Sequence, residues 1–218
     1  MKRPIIYLEP KKRALKVIKL LEKEYVQAKT ALRYSKPLEL LIGTILSAQC
    51  TDKRVNIVTN ILFKKYLTMD DYAKAELKEL EEDIRSTGFY RNKAKYIKKS
   101  AQIINEKYES KVPHTMEELI ELPGVARKTA NIVLFNAYGI IAGVAVDTHV
   151  KRLSLRIGLT KNKDPNKIES DLMNSVPRNK WMKISDLLIF HGREVCKARK
   201  PKCTKCVLNQ ICNSASLI

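Results

Sequence analysis

Apolar residues recur at helical spacing along nearly the whole chain. In the segment TDKRVNIVTNILFKKY, for example, Val55, Val58, Ile61 and Leu62 fall on one face of a helix. No stretch has the alternation of apolar and polar residues between hairpin turns that is typical of strands. The pattern therefore predicts an all-α fold.

Proline and glycine residues divide this pattern into roughly ten segments of ordinary helical length. Two helix starts carry visible caps: Thr115 with Glu118 three residues later forms a capping box, and Asp164 stands before Pro165. The chain of 218 residues is long enough for one packed domain or for two small ones. The predicted breaks are at Pro37, Gly88, Pro113, Pro123-Gly124, Gly139, Gly143, Pro165 and Pro177.

The charge balance points to a polyanionic partner. The 42 lysine and arginine residues exceed the 23 acidic residues by 19 charges, which repel one another unless a partner neutralises them. Nucleic acid is the first candidate and an anionic membrane the second. No apolar run reaches the roughly 20 residues that span a bilayer, and the start MKRPIIYLEPKKR lacks the apolar core of a signal peptide. We therefore expect a cytoplasmic, nucleoid-associated protein without a targeting signal.

Four of the five cysteines crowd into the end of the chain. Cys196, Cys203, Cys206 and Cys212 follow the spacing Cys-x6-Cys-x2-Cys-x5-Cys, which in a reducing compartment indicates a metal site rather than disulfides. The wide first gap fits zinc fingers poorly, although the spacing alone leaves zinc open. That gap, KARKPK, carries four cations that a metal core would hold towards phosphate. Cys50 stands apart, and we expect it to be a buried thiol.

The segment TMEELIELPGVARKTANIVLFNAYG predicts two helices around a tight turn. The first helix should end at Leu122, the turn should be Pro123-Gly124-Val125, and the second helix should resume near Ala126. Exposed backbone N–H groups and the positive end of the second helix would bind a phosphate oxygen, and the small residues would let a DNA backbone approach closely. Taken alone, Pro-Gly is equally an ordinary connection between helices.

Lys128 and Asp147 carry charged side chains at the starts of two successive predicted helices. Lys128 lies in the first turn of the second helix, where the helix dipole disfavours a cation. The dipole and Arg127 should lower the lysine pKa and raise the fraction of nucleophilic amine, although a phosphate-binding lysine remains the alternative. Asp147 precedes the next helix and should cap it. Of the three histidines, only His149, close to Asp147, is a candidate pocket residue.

The string LPGVARKTA, followed by ANIVL and VDTHV, resembles the helix–hairpin–helix of the endonuclease III family of DNA glycosylases. The cysteine spacing is similar to that of the [4Fe–4S] loop in many members, and the resemblance runs from KPLELLIGTILSAQ to the final cysteine. It implies two helical lobes with a DNA-binding cleft between them. The six-helix lobe would be residues 28–140, and the second lobe residues 1–27 and 141–218 with the cluster loop 196–212. It also implies a monomer that binds duplex DNA containing damaged bases or abasic sites.

The resemblance also implies the reaction and the roles of the residues. Lys128 would attack the deoxyribose and form a Schiff base, with the Asp147 carboxylate facing it, so that oxidised pyrimidines are released and the strand is nicked by β-elimination. The four cysteines would hold a [4Fe–4S] cluster. The hairpin contacts to DNA would come from Pro123, Gly124, Val125, Ala126 and Arg127.

Two further positions resemble residues that the family uses to open the duplex. Gln49, in LSAQCTD, matches a glutamine inserted where the flipped base had been, although it is alternatively a polar residue at a helix end. Phe89 stands where relatives carry a leucine wedge, a departure expected to affect opposite-base preference. Asp52, with Thr51 before it, would cap the next helix and border the base pocket. Ala126 is a second departure, because relatives often have glycine there.

Two other functions remain open at this point. A monofunctional mismatch glycosylase would share the scaffold, but such relatives generally replace the hairpin lysine, which this chain retains. A DNA-binding module without catalytic activity is the more distant alternative.

Overall fold

The computed structural model describes residues 8–26 and 31–215. Across these residues the chain forms eleven α-helices and short 3-10 turns but no strand, which confirms the predicted all-α fold. The chain divides into two compact units, Met1–Thr30 with Gly143–Ile218, and Ala31–Ala142. The boundaries predicted for the two lobes, after residues 27 and 140, differ from these by three and two residues. No helix in the described ranges is long and apolar enough to cross a membrane.

The unit Ala31–Ala142 is built around one apolar helix, α2 (Pro37–Leu46). Every residue of α2 from Leu40 onward is buried, so this helix is surrounded by its neighbours rather than presenting one face to the core. Proline at its first position fits the helix start because no intrahelical donor is lost there. The other helices of this unit are α3 (Asp52–Lys65), α4 (Met69–Lys74), α5 (Leu77–Asp83), α6 (Tyr90–Lys107), α7 (Met116–Ile120) and α8 (Arg127–Tyr138).

Helix α3 shows both what the apolar pattern predicts and what it misses. Val55, Val58 and Leu62 are buried, but Ile61, which shares their helical spacing, is 68% exposed. Ile61 lies beside the buried Leu62 but outside the narrow stripe of this helix that faces the core. The Thr51 hydroxyl accepts a hydrogen bond from the Arg54 N–H at 3.3 Å, which confirms Thr51 as the cap. Asp52 is the first residue of the helix, so its predicted capping role is wrong.

The helix before the hairpin, α7, begins as predicted and ends early. Thr115 caps it, accepting from the Glu118 N–H at 3.3 Å, while its hydroxyl donates to the Glu118 carboxylate at 2.7 Å. The Glu118 carboxylate accepts from the threonine hydroxyl and not from the Thr115 backbone N–H, so only the threonine half of the predicted capping box is confirmed. The α-helix ends at Ile120 rather than at Leu122, because the last residues tighten into bonds such as Leu122 N–H to the Leu119 carbonyl, 3.2 Å.

The second unit has its own core, formed by the apolar faces of four helices. The predicted cap at Asp164 is confirmed, since its side chain accepts from the Lys167 N–H at 3.0 Å. The buried Arg13 guanidinium donates to the Gly158 carbonyl at 3.0 Å and joins two of these helices. The helices are α1 (Pro10–Glu24), α9 (Thr148–Ile157), α10 (Pro165–Ser175) and α11 (Trp181–Glu194).

Candidate active site and metal centre

The hairpin turn between α7 and α8 requires glycine at its centre. Gly124 has φ of +80°, and a Cβ built on it would lie 2.9 Å from the Tyr96 ring. The Val125 N–H bonds to the Leu122 carbonyl at 3.0 Å, which closes the turn. The Ser100 hydroxyl donates to the Pro123 carbonyl at 3.0 Å and anchors the turn to α6. Both the left-handed backbone and the close ring exclude a side chain at position 124.

Helix α8 begins at the hairpin with an exposed N-terminus. Ala126 is its N-cap, with extended backbone that alanine adopts without strain, and it is exposed. The alanine side chain supplies no cap hydrogen bond, and the first turn has no acidic residue. Lys128 is the second residue of α8 and is partly buried. The predicted position of the lysine in the first turn is therefore confirmed, at an end whose backbone favours an anion.

In the other unit, Asp147 is the N-cap of α9. Its Oδ1 accepts from the Val150 N–H at 2.8 Å, which confirms the predicted cap. One turn along, the His149 Nδ1 lies 3.1 Å from the Arg152 guanidinium, and burial lowers the pKa of His149. Burial therefore favours the neutral form of the imidazole. The carboxylate keeps a second oxygen that the cap bond does not use.

Gln49 and Phe89 both project from strained turns of the unit Ala31–Ala142. Gln49 has φ of 53° and is exposed in the turn after α2. Phe89, the N-cap of α6, has φ of 49°, and 64% of it is exposed. Non-glycine residues in this region cost free energy, and such strain concentrates at functional sites. Asp52, the first residue of α3, follows the Gln49 turn.

Cys196, Cys203, Cys206 and Cys212 line one cavity, together with apolar side chains and His191. Within the described ranges, no three His, Cys, Asp or Glu side chains are grouped to hold a single metal ion. Four thiolates around one zinc lie close together because each bond is only about 2.3 Å long. Soft thiolates are the usual ligands of iron–sulfur clusters, so the donors that line this cavity fit such a group. Cys50 is partly buried rather than fully buried, which corrects the expectation.

Polar side chains reach the thiols of this cavity. Burial raises the pKa of Cys206 to about 11, so a metal must displace its proton on binding. The His191 Nε2 lies 3.2 Å from the Cys206 sulfur, and its Nδ1 lies 3.0 Å from the Tyr25 hydroxyl. His191 is 1% exposed, and burial lowers its pKa to about 4, so the ring is neutral. In the tautomer that accepts from the Tyr25 hydroxyl at Nδ1, the Nε2–H is directed to the Cys206 sulfur.

Two arginines of α9 fix the segment between the first two cysteines. Arg152 donates to the Cys196 carbonyl at 3.0 Å, and Arg156 donates to the Lys197 and Ala198 carbonyls at 2.8 and 2.9 Å. These bonds tie the helix that Asp147 caps to the start of the basic loop. The four cations of this loop are exposed: Lys197, Arg199, Lys200 and Lys202.

Two family models match the chain. Residues 42–178 match the HhH-GPD superfamily of base excision DNA repair proteins, and residues 196–212 match the iron–sulfur binding domain of endonuclease III. Endonuclease III of Synechocystis sp. is 54% identical over 205 residues, covering 94% of each chain. The chain belongs to the endonuclease III family. Endonuclease III of Bacillus subtilis is 47% identical, covering 86% of each chain.

A solved structure described as a trapped endonuclease III–DNA covalent intermediate has a TM-score of 0.92 and 42% identity, covering 97% of this chain and 99% of that one. As a member of the endonuclease III family, the chain is a base excision repair enzyme, a DNA glycosylase with AP lyase activity. Its cofactor is a [4Fe–4S] cluster. The predicted family, enzyme class and cofactor are thus confirmed.

Sequence reasoning missed the groups that surround the thiols. His191 was set aside because the histidines do not form a ligand set, yet it contacts a cysteine sulfur. One feature indicates that His191 lies close to the cysteines: it is near the end of a helix that leads directly into Cys196. Nothing in the sequence connects Tyr25 to position 191, because that contact joins residues 166 apart.

Proposed function

We propose that this endonuclease III family member removes oxidised pyrimidines from duplex DNA, with Lys128 as the nucleophile. The observation that carries the proposal is the lysine in the first turn of α8, directly after the Gly124 hairpin. A helix N-terminus that holds phosphate brings the sugar next to it within reach of an amine on the same turn. A relative that is 42% identical forms a covalent intermediate with DNA, which supports an amine nucleophile.

The chemistry needs an amine and a carboxylate at the same sugar. The Lys128 amine attacks C1′, and the bond to the damaged base breaks with its electron pair leaving on the base, which takes up a proton. The Asp147 carboxylate stabilises the positive charge that develops on the sugar. The amine then loses a proton, O4′ leaves C1′ with its electron pair and is protonated, and a Schiff base results.

The Schiff base determines that the strand is nicked. It acidifies the proton on C2′, whose loss allows the bond between C3′ and the 3′ phosphate oxygen to break by β-elimination. Water then hydrolyses the Schiff base and regenerates the lysine. An enzyme that activates water instead of an amine has no such route, so the identity of the nucleophile separates this function from that of a monofunctional mismatch glycosylase.

We assign phosphate binding to the hairpin. The exposed Gly124 and Ala126 leave room for a DNA backbone, and the N–H groups at the start of α8 would serve as donors to a phosphate. Arg127 adds a charge at the same end. Pro123 and Val125 hold the turn, since the carbonyl of one and the N–H of the other are bonded within the unit.

Base extrusion is assigned to the two exposed turns. Gln49 would fill the space left by the flipped base, and Phe89 would wedge into the stack, where its ring can also stack on a base. Both side chains are exposed, as an inserting residue requires. Asp52 and His149 are proposed to border the base pocket.

The cluster is proposed to be held by Cys196, Cys203, Cys206 and Cys212. When bound, it cross-links the loop that carries the basic residues, which dock on the DNA backbone. We also propose that the enzyme acts as a monomer on the DNA of the nucleoid, where its charge of +19 favours association with the duplex.

Removing one proposed ligand should release the iron. Purified Cys206→Ala is expected to lose most of its iron and its brown colour, while Cys50→Ala keeps both, because Cys50 lies outside the cavity. Metal analysis and visible absorbance measure this directly. A colourless wild-type protein with one zinc per chain, or iron loss in the Cys50 variant alone, would contradict the ligand set.

The function is tested by chemical trapping. Duplex DNA containing thymine glycol is incubated with the enzyme and borohydride, which reduces a Schiff base to a stable amine. We expect a covalent protein–DNA complex, and without borohydride a nicked strand. Base release without trapping would indicate the monofunctional glycosylase, and binding without base release would indicate a DNA-binding module.

A further inference from the structure

A buried lysine links the two turns that carry Gln49 and Phe89. Lys93, on α6, is only 3% exposed, and its Nζ donates to the Leu46 carbonyl at 2.8 Å and to the Thr87 carbonyl at 2.9 Å. Lysine is almost never fully buried unless it is paired. Burial lowers the pKa of Lys93, which reflects this cost. The hydrogen bonds to the two carbonyls compensate for the cost of burying the ammonium group.

Both carbonyls lie directly before a strained turn. Leu46 is the last residue of α2, three residues before Gln49, and Thr87 ends a 3-10 turn two residues before Phe89. The carbonyls in the last turn of a helix lack intrahelical donors, and a cation there is favoured by the helix dipole. One ammonium group therefore fixes the exits of two separate segments. Between them the chain runs through α3, α4 and α5.

We propose that Lys93 is a positioning residue that couples the Gln49 turn to the Phe89 turn, so that both side chains enter the duplex as one rigid unit. The proposal rests on the inserting roles assigned to these two residues above. Insertion must offset the unstacking of base pairs, and a side chain on a loose turn would also lose conformational entropy when it enters. Fixing both turns before DNA binds removes part of this entropic cost.

A lysine that serves only the stability of the fold would have different consequences. Replacing such a lysine would lower the melting temperature, and every reaction of the enzyme would slow in proportion to the unfolded fraction. A positioning lysine instead affects paired substrates, in which the base must be extruded, more than substrates in which the base is already unpaired. Lys98 provides the matched control, because it also lies on α6 and its Nζ donates to a backbone carbonyl, that of Ala75, at 2.7 Å.

The first measurement is amide hydrogen exchange on the holoenzyme. In Lys93→Met, exchange around residues 47–50 and 87–90 is expected to rise together, by about tenfold or more, while Lys98→Met leaves both segments unchanged. If Lys93→Met is too unstable to measure, Lys93→Gln serves, because its shorter side chain reaches at most one carbonyl and must loosen at least one segment. Unchanged exchange in both segments overturns the coupling.

The second measurement compares substrates under single-turnover conditions. Lys93→Met is expected to release thymine glycol about tenfold more slowly from a paired duplex, yet within about twofold of wild type from an unpaired bulge. Gln49→Ala and Phe89→Ala should share this selectivity. Equal slowing on both substrates overturns the positioning role. If exchange rises in Lys93→Met but Gln49→Ala and Phe89→Ala lack the selectivity, the coupling holds and the inserting roles fail.

Discussion

Lys128→Ala is expected to abolish borohydride trapping and to lower the rate of strand nicking by about 10⁴-fold or more, the scale reached when a covalent nucleophile is removed. The reason is that no other group on the first turn of α8 supplies an amine, since the guanidinium of the neighbouring Arg127 is not a nucleophile. Binding to DNA with an abasic-site analogue should change much less. Gel shift and single-turnover nicking assays measure the two effects separately.

The control for this variant is Lys128→Arg, which keeps the positive charge and the hydrogen-bond donors but is not a nucleophile. If Lys128 serves as the nucleophile, the arginine variant binds DNA like wild type and is as inactive as the alanine variant. If Lys128 only binds phosphate, the arginine variant retains trapping and nicking, and the alanine variant loses affinity instead. Trapping that survives in both variants would move the nucleophile to another residue.

Features set by adjacent residues were predictable from the sequence. Thr51, Asp147 and Asp164 cap helices as expected, because a cap depends on a side chain and an N–H group only three residues away. The turn at Gly124 was predictable for the same reason. A capping box at Thr68 and Asp71 was nevertheless missed, although it follows the same local rule with aspartate in place of glutamate.

Contacts between distant parts of the chain could not be predicted from the sequence. Lys93 looks like one more exposed cation in a basic helix, and its burial depends on a carbonyl 47 residues away. The contact between His191 and Cys206 likewise depends on how α11 meets the cysteine loop. Helical periodicity locates the buried stripe but does not give its width, so it does not show that Ile61 lies outside the stripe.

The roles of the site residues came from resemblance rather than from physics. Spacing alone predicts a phosphate-binding turn, a capping aspartate and a cysteine-rich metal loop, each of which is compatible with a protein that only binds DNA. The family matches then decide the enzyme class and the cofactor. The family matches do not assign a role to each side chain, so each role is tested by its own variant. Such a test matters most for a residue that also has a structural function.

Asp147 is such a residue, and two variants separate its functions. Asp147→Asn is expected to slow base excision by about 10²- to 10³-fold, because a carboxylate that stabilises developing positive charge is lost. Its melting temperature should stay close to that of wild type, since asparagine caps a helix about as well as aspartate. Asp147→Ala should lose activity to the same extent and in addition about 1 kcal/mol of stability, because the bond to the Val150 N–H disappears.

The two measurements are single-turnover excision and thermal unfolding, both on cluster-loaded enzyme. An Asp147→Asn variant with wild-type excision would reduce Asp147 to a helix cap and require another anion at the sugar. A variant that loses excision only in proportion to its stability would lead to the same conclusion. Activity lost at unchanged stability is the result that assigns the carboxylate to the chemistry, because the cap is then intact while the charge is gone.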